Sequence, residues 1–182
     1  RNEHETEFGT ETDLRPNRFI WYGTRKVFDS LSLTFRETEH GVFCAHHYRY
    51  SPGMSTFLVE VTDATWQRAG FAAMGEQEAI RHCEQVFAKD LGGAPILTNK
   101  SWWRQFPAVT NRQWGFGKVV LMGDALRTAH FSIGSGTRLA MEDAIALWKA
   151  LRDAGSLPQA LALYQERRLP PMKKILDAAS AS

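Results

Sequence analysis

The stretch GDALRTAHFSIGSGTRLAMEDA occupies residues 123–144, between a run of apolar residues and a sequence with helical spacing. The apolar run KVVLM at 118–122 is continuous rather than alternating, which is typical of a strand buried on both faces of a parallel sheet. A strand over residues 118–123 would bring Asp124 to the carboxyl edge of such a sheet, where α/β proteins bind ligands. The stretch therefore predicts a strand, a glycine-rich loop and a helix.

The residue types in this loop suit a ligand with hydroxyl groups and delocalised negative charge. The Asp124 carboxylate only accepts hydrogen bonds, so it suits a sugar or polyol. Gly134-Ser135-Gly136 allows the backbone to approach a ligand closely, and the helix that follows would direct its free N–H groups to the same place. Spacing alone leaves open a second interpretation, in which the loop is structural and Asp124 is a turn or capping residue.

The rest of the chain predicts an α+β fold, a mostly antiparallel sheet with helices, followed by one strand and helices of α/β type. Residues 1–17 are polar and are predicted to form a loop. Alternating, β-branched and aromatic runs predict strands at 18–24, 31–37, 42–50, 55–62 and 102–107. Helical spacing predicts helices at 76–91, about 136–153 and about 158–169, the last closed by Pro170-Pro171. We expect a first domain at 1–107 and a second segment at 108–182.

Composition excludes several classes of partner. The net charge of +2 is too small to indicate nucleic acid, and no apolar stretch is long enough to span a membrane. Cys44 and Cys83 are far apart in apolar settings, which favours reduced thiols and a cytoplasmic location. No residue spacing typical of a metal site is present. Aromatic residues make up 12% of the chain, which indicates either a large aromatic core or a pocket for a planar ligand.

The loop resembles the second flavin-binding motif of the class A flavoprotein aromatic hydroxylases, the family that includes p-hydroxybenzoate hydroxylase. Arg127 and Phe131 stand where that family usually has His and Pro. Residues 12–35 and the loop itself also look like the hydroxylase part of salicylyl-CoA 5-hydroxylases and 2-aminobenzoyl-CoA monooxygenases, in which these two departures are usual. The hydroxylases of violacein synthesis look similar around residues 130–134. The positions that match the family motif are Gly123, Asp124, Ala125, Gly134, Gly136, Asp143 and Ala144.

The resemblance implies a flavoprotein monooxygenase that binds FAD, uses NAD(P)H as reductant and hydroxylates an aromatic ring through a flavin C4a-hydroperoxide. It implies that Asp124 binds the ribityl chain of FAD and that Phe131 helps to close the reaction site. It also implies that residues 1–107 form the substrate-binding domain and 108–182 the last part of a Rossmann-like FAD domain. The flavin's pyrimidine edge would be lined by backbone N–H groups of Gly134, Ser135, Gly136 and Thr137.

Three histidines are candidates for a place near substrate or flavin. His46 and His47 are neighbours on a predicted strand and so point to opposite faces. One of them would face the substrate and polarise a ring hydroxyl or amine, unless both are ordinary sheet histidines. His130 lies in the loop beside the expected flavin position.

The family's first motif, Gly-x-Gly-x-x-Gly after a strand, does not occur in the sequence. We therefore expect the N-terminal dinucleotide-binding part of the same protein to precede Arg1, and we expect this chain alone to be inactive and to bind FAD weakly or not at all. The expected substrate is an aryl-CoA thioester. A free indole or phenolic substrate is the alternative, and a ligand-binding module without redox activity is the alternative for this chain by itself.

Overall fold

The computed structural model describes residues 2–181 and divides the chain into two units. One unit is Arg15–Phe106, and the other joins the first 14 residues to the residues from Pro107 onward. The sequence predicted a single segment at 1–107. Residues 1–14 instead group with the C-terminal unit, because Phe8 is fully buried in a cluster with Trp114 and Tyr164.

The unit Arg15–Phe106 is built on an antiparallel sheet, which confirms the α+β prediction. Its order is β2-β3-β4-β1-β5, and β6 also pairs with β1. The β1–β4, β1–β5, β2–β3 and β3–β4 pairs are all antiparallel. The strands are β1 (Thr10–Thr24), β2 (Ser32–Thr38), β3 (Gly41–Ser51), β4 (Met54–Val61), β5 (Ile96–Leu97) and β6 (Arg104–Asn111).

Helices cover one face of this sheet. They are α2 (Asp63–Arg68), α3 (Glu76–Val86) and α4 (Ala88–Leu91). The predicted helix at 76–91 is interrupted at Phe87, whose φ of −105° and ψ of 23° are not helical. Its two parts still present one apolar stripe to the sheet. The core between helices and sheet contains Ile20, Tyr22, Phe43, Ala45, Phe57, Val59, Ala79, Ile80, Cys83, Phe87 and Leu91.

The strand register shows which residues lie on the side of the sheet opposite the helices, here called the second face. Trp21 lies opposite Leu58, Leu58 opposite His46, and His46 opposite Leu33. Because side chains alternate along a strand, these four residues project away from the helices. The neighbouring row of the second face contains Phe19, Glu60, Cys44 and Phe35.

The other unit is mostly helical and carries the loop from which the sequence analysis began. Its apolar cluster contains Phe8, Trp114, Leu121, Leu126, Ala150, Tyr164 and Met172. Its elements are α1 (Glu5–Phe8), β7 (Gly115–Phe116), β8 (Val119–Val120), α5 (Gly123–Leu126), a 3-10 turn at Phe131–Ile133, α6 (Gly136–Asp153) and α7 (Leu157–Ala181). The observed α6 agrees with the predicted helix at 136–153.

The strand predicted over residues 118–123 is much shorter in the structure. It is reduced to β8, which pairs antiparallel with β7, and Val119 is 41% exposed. Within residues 2–181, β8 has no other strand partner. Gly123 then takes a φ of +56°, which turns the chain into α5. Asp124 therefore lies in the first turn of a short helix and not at the edge of a parallel sheet.

Three other predictions of element boundaries are wrong. Residues 1–17 are not a loop, since they contain α1 and the start of β1, and β6 continues past Pro107 to Asn111. The helix predicted to end at Pro170-Pro171 runs through both prolines as α7. A proline inside a helix removes a backbone hydrogen bond. Beyond the prolines, Met172 and Leu176 join the apolar cluster, and their burial offsets that loss.

None of the helices in residues 2–181 combines the length and the apolar character that crossing a bilayer requires.

Replacement of Phe57 by alanine should destabilise the sheet unit strongly. Phe57 is fully buried between sheet and helices, and removal of such a ring costs about 3–5 kcal/mol. Phe35→Ala is the matched control, because Phe35 is 59% exposed on the second face. This variant should lower the free energy of unfolding by less than about 1 kcal/mol. Urea denaturation followed by circular dichroism measures both. Equal losses would contradict the assignment of the helix-covered face as the core.

Candidate functional site

A small cavity lies where the glycine-rich loop meets the start of α6. Its volume is about 150 Å³, open solvent included, so it is a shallow depression and not a closed pocket. The cavity is lined by Gly123, Asp124, Arg127, Ala129, Gly136 and Leu139. The structure thus brings together three of the predicted site residues, Gly123, Asp124 and Gly136.

Asp124 presents its carboxylate at this cavity. The residue is exposed, and its side chain makes no hydrogen bond or ion pair with any of residues 2–181. The next residue, Ala125, is also exposed in α5. The interpretation of Asp124 as a capping residue is not supported by a contact, so its carboxylate remains available to a ligand.

The backbone that carries Asp124 is held by a buried carboxylate, that of Asp143 in α6. Asp143 has no solvent exposure. Its Oδ2 accepts hydrogen bonds from the Gly123 N–H at 3.0 Å and from Arg127 Nη1 at 2.6 Å. Its Oδ1 accepts from Arg127 Nη2 at 3.2 Å and from Arg168 Nε at 3.0 Å. One side chain therefore fixes the loop to both long helices.

This network balances its charges inside the unit. Arg127 is 3% exposed and Arg168 7% exposed, so both guanidinium groups are removed from water. Arg168 Nη1 also pairs with Glu142 at 3.1 Å, which gives two acids for two bases. Buried ion pairs of this kind contribute little net stability, but the loss of one partner is costly because it leaves a charge uncompensated.

A second buried contact supports the same loop from α7. Tyr164 has no solvent exposure, and its hydroxyl donates to the carbonyl of Leu121 at 3.2 Å. Burial raises the pKa of Tyr164 well above its ordinary value, so the hydroxyl stays protonated and can donate. The segment 121–127 is thus anchored at its start by Tyr164 and at its end by the ion network.

Gly123 cannot easily be replaced by another residue. Its φ of +56° is in the left-handed region, and a Cβ at this position would lie 3.1 Å from the Cβ of Ala140. The close approach allows the Gly123 N–H to reach Asp143 across the start of α6.

The other end of the loop leaves open space around the backbone. Gly134 has a φ of +58° and is exposed, and a Cβ at Gly134 or Gly136 would meet nothing within 4 Å. Ser135 precedes α6 without a side-chain capping bond, and Thr137 is exposed in its first turn. The expectation for the Gly134 N–H is wrong, because this group donates to the carbonyl of Phe131 at 2.9 Å. Gly136 and Thr137 lie in the first turn of α6, where N–H groups have no intrahelical acceptor, so these two can donate to a ligand.

His130 and Phe131 lie between the two ends of the loop, and both are half-buried. His130 Nδ1 accepts a hydrogen bond from the Ser132 N–H at 3.4 Å and lies 2.9 Å from the Ser132 hydroxyl. Its ring centroid is 4.1 Å from that of Phe131. His130 therefore caps the 3-10 turn, which orients the Phe131 ring.

His46 and His47 lie in the sheet unit and project to opposite faces, as their adjacency on β3 predicts. His47 is 5% exposed, and its ring stacks on Phe28 at 3.8 Å between centroids. Its Nε2 lies 2.8 Å from the Thr34 hydroxyl, and burial lowers the pKa of His47 below its usual range. His47 is accordingly a core histidine, and only His46 of the pair remains a candidate for contact with substrate.

Sequence reasoning missed Arg168 completely and gave Asp143 no function beyond its place in the motif. Asp143 carried a usable signal, since an acid 20 residues after a Gly-Asp pair is part of the family pattern. Arg168 carried none, because its contact with Asp143 joins two different helices.

Asp143→Asn should destabilise the helical unit by about 3–5 kcal/mol, because two buried guanidinium groups would lose their shared carboxylate. Glu142→Gln is the matched control on the same helix. The side chain of Glu142 is 38% exposed and pairs with Arg168 and with the exposed Arg138, so its replacement should cost less than about 1 kcal/mol. Thermal and urea denaturation of both variants test this. If both variants lowered the free energy of unfolding by a similar amount, Asp143 would not be the centre of the network.

Comparison with known proteins agrees with this geometry. The family model described as "FAD binding domain" matches residues 23–179. The chain is 42% identical over 185 residues to salicyloyl-CoA 5-hydroxylase of a Streptomyces species, which covers 97% of this chain and 36% of that protein. It is 42% identical over 170 residues to 3-hydroxy-4-methyl-anthranilyl-(aryl-carrier protein) 5-monooxygenase of Streptosporangium sibiricum, which covers 93% of this chain and 45% of that protein.

The fold is also that of PqsL from Pseudomonas aeruginosa, solved in complex with 2-aminobenzoylacetate, with a TM-score of 0.70 and 23% identity. The match covers 94% of this chain and 48% of the PqsL chain. The chain thus spans between about a third and a half of the length of these proteins. On the extent of the family match and these identities, the chain belongs to the FAD-binding-domain family, among the class A flavoprotein aromatic hydroxylases.

Proposed function

We propose that the protein carrying this chain is an FAD-dependent monooxygenase that hydroxylates the ring of an aromatic acyl thioester. The observation that carries the proposal is the Asp124 carboxylate, exposed at a glycine-lined cavity and unpaired with any of residues 2–181. The family to which the chain belongs identifies the cofactor as FAD, and the residues that line the cavity suit one part of FAD.

The residues at the cavity fit the ribityl segment of FAD. A carboxylate accepts hydrogen bonds from hydroxyl groups, and the open backbone at Gly134 and Gly136 admits close approach of a ligand. The first turn of α6 adds N–H donors and the positive end of a helix dipole, which suit the electron-rich pyrimidine edge of a flavin.

In this proposal the loop binds and orients the cofactor, and no side chain acts as a nucleophile. Asp124 accepts hydrogen bonds from ribityl hydroxyls, and the backbone N–H groups of Gly136 and Thr137 donate to the ring edge. Phe131, oriented by His130, excludes water from the reacting side. When bound, FAD accepts electrons from NAD(P)H and supplies the oxygen chemistry for ring hydroxylation.

The unit Arg15–Phe106 binds the aromatic substrate in this proposal. Support comes from the two relatives, whose names denote a salicyloyl group on CoA and an anthranilyl group on a carrier protein. The second face of the sheet adds aromatic side chains, with Phe19 and Trp21 projecting from β1 and Phe35 from edge strand β2. The helical unit, from Pro107 onward, forms part of the flavin-binding domain.

We also propose a cytoplasmic location. Cys44 and Cys83 are both free thiols, which suits a reducing compartment with a supply of NAD(P)H.

A direct test combines the intact protein, FAD, NAD(P)H and salicyloyl-CoA. We expect oxidation of the reductant that depends on the thioester, together with a hydroxylated acyl-CoA detected by mass spectrometry. Reductant oxidation that yields only hydrogen peroxide, with every aryl-CoA tested, would overturn the proposed substrate class.

Asp124→Ala should weaken FAD binding by the intact protein about 10- to 100-fold. A charge-assisted hydrogen bond contributes about 1.5–3 kcal/mol, and each 1.4 kcal/mol is tenfold in affinity. Asp124→Asn keeps one oxygen acceptor and should lose less. Because Asp124 makes no contact that holds the fold, the melting temperature without FAD should not change in either variant.

Asp177→Ala serves as the control for Asp124→Ala, since Asp177 is an exposed aspartate of α7 outside the cavity. It should leave both flavin affinity and melting temperature unchanged. The site assignment fails if Asp124→Ala keeps the flavin affinity of the wild type and lowers the melting temperature instead.

A further inference from the structure

We propose that Tyr164 and Arg168, one turn apart on α7, are positioning residues for FAD, which hold the backbone around Gly123 so that the Asp124 carboxylate meets the ribityl chain. The inference rests on the proposed function, because it takes Asp124 as a ligand of FAD. Neither residue of α7 lines the cavity, so each acts on the cofactor through other residues.

The two side chains lie on one face of α7, because residues four positions apart on a helix are neighbours on its surface. Both are turned to the interior of the helical unit, since Tyr164 has no solvent exposure and Arg168 is 7% exposed. Their polar atoms meet the segment that leads into the glycine-rich loop, one directly and one through α6.

The direct contact fixes the chain just before Gly123. The Tyr164 hydroxyl donates to the carbonyl of Leu121, three residues ahead of Asp124, at 3.2 Å. The Tyr164 ring is itself held by packing, with its centroid 5.4 Å from that of Trp114 in the apolar cluster. Because the ring is held, the hydroxyl keeps Leu121 in one position.

The second contact reaches Gly123 through the Asp143 carboxylate. Arg168 Nε donates to Asp143 Oδ1 at 3.0 Å, and the Gly123 N–H donates to Asp143 Oδ2 at 3.0 Å. The carboxylate thus stands between α7 and the loop, with one oxygen turned to each. Arg168 Nη1 also lies 3.1 Å from Glu142 Oε2, which holds the guanidinium group against two adjacent residues of α6. Arg168 therefore restrains the acceptor on which the Gly123 N–H depends.

Together these contacts set the distance between Asp124 and the start of α6. Asp124 follows Gly123 directly, and its side chain makes no hydrogen bond or ion pair within residues 2–181 that would hold it. The helix α6 is anchored independently, because Leu139 and Ala150 are buried. Loss of either contact from α7 would release the Asp124 end of the cavity and leave the Gly136 end in place.

Stability is a poor explanation for Arg168. A buried ion pair adds little to stability compared with apolar residues of similar volume, so two helices can pack without one. A guanidinium group that bridges Glu142 and Asp143 instead defines where the Asp143 carboxylate lies, since its donors have fixed directions. This is what a residue that positions the loop requires.

The experiment measures FAD dissociation constants of the intact protein by fluorescence titration, at a temperature where circular dichroism shows each variant folded. Tyr164→Phe and Arg168→Met should each weaken FAD binding by about 2- to 30-fold, the range for residues that modulate a site through a network. Arg167→Met is the control, since the neighbouring Arg167 is exposed and pairs with Asp153. It should keep the affinity of the wild type.

A double-mutant cycle separates positioning from a structural role. If Tyr164 and Arg168 act by placing Asp124, each replacement should weaken FAD binding by less than about twofold when Asp124 is already alanine. A residue that only stabilises the fold lowers the melting temperature and leaves the FAD dissociation constant of the folded protein unchanged. Tyr164→Phe removes one oxygen and keeps the ring, so the test remains decisive if Arg168→Met does not fold.

The inference is overturned by wild-type affinity in Tyr164→Phe or in folded Arg168→Met, or by a loss that persists in full beside Asp124→Ala. If Asp124→Ala alone weakens FAD binding while one of these results is found, only the role of α7 is lost. If the wild type does not bind FAD, or Asp124→Ala binds it as the wild type does, the proposed flavin site fails together with the inference.

Discussion

The Asp143 carboxylate holds together the part of the chain on which the proposed flavin site depends. Its two oxygens accept four hydrogen bonds, from one backbone N–H and two guanidinium groups. Through them α6 fixes Gly123, Arg127 and the helix α7. The motif residue Asp124 makes no such contact. Its side chain can remain exposed because the backbone of the preceding residue, Gly123, is fixed by Asp143. The family pattern therefore places a buried acid that holds the loop, Asp143, near the exposed acid that we propose binds the cofactor, Asp124.

The sequence was sufficient for the sheet and for α6, and insufficient for the segment before the loop. Alternation along β3 and β4 reflects a two-sided sheet, and it is a local property that can be read from the residues. The apolar run at 118–122 was interpreted as a strand buried on both faces, yet the structure gives it a short hairpin with β7. An apolar run indicates that the residues are buried. Whether they form a long central strand or a short hairpin depends on which elements pack against them.

The site shows the same limit. Gly123, Asp124 and Gly136 were found because the motif places them in fixed positions along the chain. Arg168 was not, because its role depends on how α7 packs on α6, and packing has no signature in the spacing of one helix. The continuation of α7 through Pro170 and Pro171 has a related cause. Local propensity predicts an end there, and burial of Met172 beyond the prolines prevails.

The replacement of the family's usual histidine by Arg127 has a consequence for how the loop responds to acidity. An imidazole in contact with Asp143 would gain and lose its proton close to neutral pH, so the strength of the contact would vary across the physiological range. A guanidinium group stays charged throughout that range and engages both carboxylate oxygens at once. The part of the loop that Asp143 holds, residues 123–127, thereby keeps its geometry whatever the proton concentration in that range.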